Sequence, residues 1–228
     1  MAKIYDTTMT PGKLELLSQW LPGRPWYRAS TRAPQLIRVG GFRLDDPEGE
    51  VGVEFMFVTD GPGTDAVTYQ VPLSYRGAPL AGAEPALIGT AEHGVLGTRW
   101  VYDGGHDPVV VTQLLALVQG EVEAQHRSRG DTVDRSVTRR WSRAETIVAL
   151  GFTTPEEDGD GDPDATTIIV ETAAPAGAPT GDVVVRLLRV LSPEPVENRG
   201  RPGTIGSVEA GWHDPDGTPR RGPVALVR

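Results

Sequence analysis

Val51-Gly52-Val53-Glu54-Phe55-Met56-Phe57-Val58 and Val67-Thr68-Tyr69-Gln70-Val71-Pro72-Leu73-Ser74-Tyr75 are the two stretches whose reading decides the fold. Every second residue is apolar in each: Val51, Val53, Phe55 and Phe57 in the first, Val67, Tyr69, Val71, Leu73 and Tyr75 in the second. A period of two puts successive side chains on opposite faces of a pleated strand, so both stretches read as β-strands with one apolar face. Asp60-Gly61-Pro62-Gly63 between them is a turn signal, and the pair is expected to form an antiparallel hairpin with a longer loop. Leu36–Leu44, loosened by Gly40-Gly41, and Arg99–Tyr102 are expected to add strands to the same sheet.

Outward from this hairpin the period changes. Lys3 to Met9 reads as a short strand that runs into a helix, with Thr10 as N-cap and Pro11 in the first helical position, where a missing N–H costs nothing. Leu14, Leu17 and Leu21 form one stripe with Trp20 beside it, and Pro22-Gly23 ends that helix. Asp107-Pro108 repeats the cap-then-proline signature. Val111, Leu114, Leu115, Val118 and Val122 follow at helical spacing, so one long helix is expected to cover the sheet. His126, Arg127 and Arg129 suit its C-terminal dipole, and Gly130 suits its end.

Beyond Gly130 only strands are expected, at Thr146–Phe152, Thr166–Thr172, Val183–Leu191, Thr204–Trp212 and Val224–Val227, separated by acidic or Pro-rich loops. The expected fold class is therefore α+β: an antiparallel sheet with one long and one short helix over 1–130, then a mostly β second half over 131–228. That half is either separate or continuous with the first sheet, with a soft boundary near 130–143.

Composition narrows the function. Apolar residues make up 38% and charged residues 23% of 228, ordinary values for a globular protein. Cysteine is absent, which removes disulfides, thiolate chemistry and cysteine-ligated metals and suits a reducing cytoplasm. A net charge of −9 repels phosphate backbones, so no nucleic-acid partner is expected. No segment approaches the ~20 apolar residues of a membrane helix, and Met1–Asp6 has no apolar core of a secretory signal, so neither membrane nor export is expected.

Catalytic motifs are missing. There is no G-x-x-x-x-G-K-[ST] phosphate loop, no G-x-G-x-x-G leading from strand to helix, no kinase catalytic loop and no G-x-S-x-G elbow. Asp158-Gly159-Asp160-Gly161-Asp162-Pro163-Asp164 alternates carboxylates like a calcium loop, but Pro163 and Ile169 occupy the sixth and twelfth positions, where Gly and Glu are required. His93, His106, His126 and His213 show no ligand spacing, so no metal and no cofactor is expected.

Two residue groups remain as candidate surfaces. Trp26, Tyr27, Trp100 and Tyr102 offer the aromatic faces and polar tips that sugar- or protein-binding surfaces use, although for Trp100 and Tyr102, in expected strands, sheet packing is the more common job. His93, Arg99, Asp103, His106 and Asp107 flank one stretch and could converge into a site, although a turn and a helix cap explain Asp103 to Asp107 as well.

Two further sets of residues resemble a known family. One is Thr7-Thr8-Met9-Thr10-Pro11-Gly12-Lys13-Leu14, then Trp20-Leu21-Pro22 and Arg24-Pro25-Trp26-Tyr27. The other is Tyr69-Gln70-Val71-Pro72-Leu73-Ser74-Tyr75-Arg76, Ile88-Gly89-Thr90, His93-Gly94-Val95-Leu96-Gly97, Arg99-Trp100-Val101-Tyr102-Asp103-Gly104 and Asp107-Pro108-Val109. Together, over about residues 1–127, they resemble the N-terminal cap domain of maltokinases and related sugar kinases. The resemblance implies a cystatin-like cap, a curved sheet wrapped on a helix, and a link to α-glucan, maltose and trehalose metabolism. In that family the phosphotransfer residues lie in the kinase lobes, so no catalytic residue is carried onto this chain. Val184-Val185-Arg186-Leu187-Leu188-Arg189 is faintly similar to the strand that bears the nucleotide lysine, with Arg186 in its place, an unsafe substitute for positioning phosphate. The expectation is a non-catalytic accessory module that docks on a sugar kinase or an α-glucan enzyme in the cytoplasm. The alternatives are a small-ligand or carbohydrate-binding domain, and an enzyme with an unrecognised site around His93 and His106.

Overall fold

A computed structural model of the chain describes residues 8–28, 32–61, 66–128, 132–156, 162–174, 179–200 and 202–228. Most of the strand expected at 3–9, part of the turn at 60–63 and the start of the acidic loop at 158–164 lie outside them. A short strand, β1 (Met9–Thr10), leads to helix α1 (Lys13–Trp20). Strands β2 (Leu36–Leu44), β3 (Gly52–Asp60), β4 (Val67–Arg76), β5 (Leu87–His93) and β6 (Gly97–Asp103) follow, then helix α2 (Pro108–Gln119). After it come β7 (Gln125–His126), β8 (Thr138–Trp141), β9 (Val148–Phe152), β10 (Ala165–Ala173), β11 (Pro179–Leu188), the single turn α3 (Val196–Arg199), β12 (Gly206–His213) and β13 (Pro219–Val227). Among the described residues no helix is long and apolar enough to cross a membrane.

The α+β expectation is overturned. The described residues are mostly β, 46% strand against 17% helix, and 13 strands among them join one antiparallel sheet in the order β1-β5-β6-β4-β3-β2-β12-β13-β11-β10-β9, with β7 on β2 and β8 on β12. The long helix is shorter than its stripe suggests. Gly120, in the left-handed region at φ 83°, donates to the carbonyls of Ala116 and Leu117, while Glu121 N–H donates to Ala116. This closes α2 one turn before Val122. A Cβ at Gly120 would fall 1.9 Å from Arg139 Cζ, so the position tolerates little else. Of the residues expected to prolong α2, Gln125 and His126 form β7 instead, and Arg129 and Gly130 lie outside the described residues. Its start agrees with the sequence: Asp107 accepts from Val109 N–H, and Pro108 is the first helical residue. In α1 the cap is Gly12, with Pro11 outside the helix, and the Glu15 carboxylate accepts from Gly12 N–H.

Register decides how the sheet is buried. β3 and β4 pair Phe55 with Pro72 and Met56 with Val71, so odd residues of one strand oppose even residues of the other. The two apolar alternations therefore point to opposite faces. Val53, Phe55 and Phe57 face α2, in a core shared with Phe42, Ile168, Val185, Val208, Trp212 and Val224. Tyr69, Val71 and Leu73 join Met56 and Val58 on the other face, under Leu16, Leu17, Trp20 and Trp26. With apolar side chains on both faces, the hairpin requires two covers.

The sheet also closes on itself. β2 reaches β12 through Gly40 opposite Trp212. The free edge at the start of β4 pairs with the segment following β11: Gln70 N–H donates to Arg189 O, Leu191 N–H donates to Thr68 O, and Tyr69 sits opposite Val190. Strands β4, β3, β2, β12, β13 and β11 thus form a ring with α2 inside. Eight of the twelve α2 residues are buried, as a helix enclosed on nearly every side requires.

Candidate functional site

The turn from β6 to α2, which holds Asp103, His106 and Asp107, is pinned by two arginines. The Asp103 carboxylate is 1% exposed and accepts from Gly105 N–H at 3.1 Å and from Arg189 Nη2 at 2.7 Å. Arg189 is fully buried, donates through Nε to Thr166 Oγ1 at 2.7 Å, and lies 5.2 Å over the Trp26 ring. Asp107 is also fully buried, and it takes a bidentate fork from Arg76 Nε and Nη2 at 2.6 and 2.7 Å besides capping α2. The hydrogen bond to Asp107 raises the Arg76 pKa against the effect of burial. Both carboxylates are engaged in holding the turn, which leaves neither placed to work as a general base.

The other candidates lie elsewhere. Trp26 is 2% exposed, between Trp20 at 5.8 Å and Tyr69 at 6.0 Å, so its face is core rather than surface. Tyr27 is buried beside it and donates to Asp60 Oδ2 at 2.5 Å; burial, then the Asp60 carboxylate, pushes its phenol pKa up. Tyr102 is buried against Ala83, Ala86, Leu80 and Trp100, and its hydroxyl accepts from Leu80 N–H at 2.9 Å, so the candidate surface at Tyr102 is covered by the 80–86 segment.

His93 and Arg99 sit at the tip of the β5–β6 hairpin. His93 Nδ1 accepts from Val95 and Leu96 N–H at 3.3 and 3.1 Å, and Arg99 Nη2 donates to Leu96 O at 2.6 Å. His93 pairs with Gly97 at one end of β6, whereas His106 follows its other end at Asp103. Six steps of strand separate these ends by roughly 20 Å, so the structure does not bring the two histidines together. Among the described residues no group of three or more metal-binding side chains occurs.

Sequence reasoning missed three features. The first is Glu54, which is buried on the outer face of β3, where Lys13 Nζ donates to it at 2.6 Å, Tyr75 hydroxyl at 2.8 Å, and Arg38 Nη2 also donates. Burial alone drives the carboxyl upward; Lys13 and Arg38 overcome it and hold the pKa down to about 2. Burial and then the Glu54 charge push the neighbouring Tyr75 phenol well up. The second is Arg189. In both cases the signal was present, a charge inside an otherwise apolar strand run, which requires a partner if the run is buried.

The third is a cleft of ≈ 830 Å³ at the mouth of the ring. Thr59, Thr68, Leu191 and Trp212 line its inner part, and Arg28, Asp164, Arg199, Asp214 and Arg220 its rim. Arg28 Nη2 donates to Asp164 at 2.9 Å and Arg220 Nε to Asp214 at 2.7 Å. These residues come from both halves of the sequence, so only the ring closure assembles them.

Residues 20–107 match the maltokinase N-terminal cap domain. The match runs from the last residue of α1 to the cap of α2, and over that span it bears out the resemblance read from the sequence. It links the chain to maltokinases. Strands β7 to β13 lie outside it. No curated protein matches the chain.

Proposed function

We propose that this protein is a cytoplasmic, non-catalytic accessory module of α-glucan, maltose and trehalose metabolism that docks on a sugar kinase or an α-glucan enzyme. The match of residues 20–107 to a maltokinase cap carries this reading. The turn chemistry supports it, because the carboxylates nearest the expected site, Asp103 and Asp107, serve Arg189 and Arg76. The second half supplies β12, β13 and β11 to the ring, so the cap strands come with their own support. The test is affinity isolation from native extract with the full chain as bait. A sugar kinase or α-glucan enzyme recovered in near-equimolar amount is the expected result; a soluble, abundant bait that recovers neither would remove the reading.

A small-ligand or carbohydrate-binding role is the second reading, and the cleft at the ring mouth favours it. Its location differs from the Trp100–Tyr102 face expected from sequence, which the 80–86 segment covers. Titration of the protein with maltose, trehalose, malto-oligosaccharides and nucleotides is the test, and a blank result across the panel would remove this reading.

A further inference from the structure

We propose that the mouth of the ring is a binding site for a small, neutral, polyhydroxylated ligand, held by Arg199, Asp214 and Arg220 over the Trp212 floor; this deepens the small-ligand reading and rests on it. Mouths of closed sheets are preferred ligand sites, and a volume of ≈ 830 Å³ lies within the range of small-molecule clefts.

The rim chemistry selects the ligand class. Among the described residues three arginines and four carboxylates line the cleft, so an anion meets an excess of negative charge and a cation meets three guanidinium groups. Arg28–Asp164 and Arg220–Asp214 are already paired, which leaves planar donors and acceptors side by side with little net field. Adjacent hydroxyl groups, each both donor and acceptor, match such an array better than a phosphate or an ammonium does. Arg199 adds a directional demand: among the described residues its Nη2 is buried with no hydrogen-bond partner, and a buried donor left unpaired is costly. Turned toward the mouth, where Arg199 lines the cleft, that donor would be satisfied by a ligand oxygen. Leu191, Trp212 and Val67 supply the apolar surface that the C–H faces of a polyol require.

The experiment is a titration of the full-length protein with maltose, trehalose and glucose 6-phosphate, followed by amide NMR shifts and calorimetry, on the native chain and on Arg199→Met and Asp214→Asn. Asp214 and Arg220 are partly exposed, so the second variant is expected to fold even if the first does not. The expected result is millimolar or tighter binding of a neutral sugar, with shifts at Thr68, Leu191 and Trp212. Each variant should weaken it about tenfold while the thermal midpoint stays put. Neutral-sugar binding that maps elsewhere, or that both variants leave unchanged, overturns the site while sparing the small-ligand reading. A preference for glucose 6-phosphate overturns the ligand class. No binding by any of the three overturns the site together with that reading, and leaves the docking proposal to its own affinity test.

Discussion

The second half of the chain meets the cap strands along two seams built on different physics. At β2–β12 the contact is steric: a Cβ at Gly40 would come within 2.9 Å of both Phe57 Cδ2 and Trp212 Cβ, so glycine permits the approach of two aromatic-bearing strands. At β4–β11 the contact is polar: Arg189 reaches Asp103, and the Gln70 amide donates to Leu188 O at 3.1 Å and to Val224 O at 2.8 Å. The first seam asks only for the absence of a side chain. The second depends on specific polar partners in a dry setting, where a charge or carbonyl stripped of its partner is expensive. The two seams should therefore fail differently.

The largest effect is expected at the polar seam. Arg189→Met leaves the Asp103 carboxylate buried without its cation and should cost about 3–5 kcal/mol, a large share of a typical domain's stability. Removing both charges in Arg189→Met with Asp103→Leu should recover much of that loss, because the penalty belongs to the stranded charge. Urea denaturation of the singles and the double variant reads this directly, and simple additivity would count against the seam. At the steric seam, Gly40→Val should cost about 1–3 kcal/mol through overpacking, with no dependence on salt. Gln70→Leu, which strands two carbonyl acceptors between β11 and β13, should cost about 1–3 kcal/mol and leave β2–β12 protection against exchange intact.

The last effect is confined to acid pH. The folded pKa of Glu54 is depressed to about 2 from an ordinary 4.5. Its contribution is therefore fully present above pH 4.5 and is lost as pH falls from 4.5 toward 2. Glu54→Gln should flatten the acid limb of the stability curve in that window and leave the slope near neutrality unchanged; an unchanged acid limb would show that the Lys13–Glu54–Arg38 group does not govern it.

Much of the strand content was legible because alternation needs only neighbouring residues: β3, β4 and β10 to β13 stand close to where the apolar pattern puts them. The Asp107-Pro108 cap was legible for the same local reason. What escaped is non-local. Which faces Phe55 and Val71 occupy depends on the parity of the hairpin register, which a one-residue slip would reverse. The helical stripe ran on to Val122 by coincidence of spacing, and only Gly120 at positive φ showed where α2 stops. β5, β7 and β8 carry weak alternation, since β5 buries only Ile88 and Ala91 and β7 and β8 bury no residue fully, and their omission tilted the expectation toward α+β. The candidate site disperses because nearness along the chain is not nearness in space: His93 and His106 lie at opposite ends of one hairpin. Ring closure, and with it the cleft, depends on partners such as Gln70 and Val224, which are more than 150 positions apart.

The enclosure of α2 by strands from both halves implies that residues before and after 130 fold as one cooperative unit. Native-state hydrogen exchange at rising urea tests this most directly, by comparing the amides of β3 and β4 with those of β11 and β13. A shared opening free energy for all four strands is the predicted result. Opening of β11 and β13 at low urea while β3 and β4 remain protected would contradict it, and would divide the molecule into a self-sufficient cap and an independent appendage.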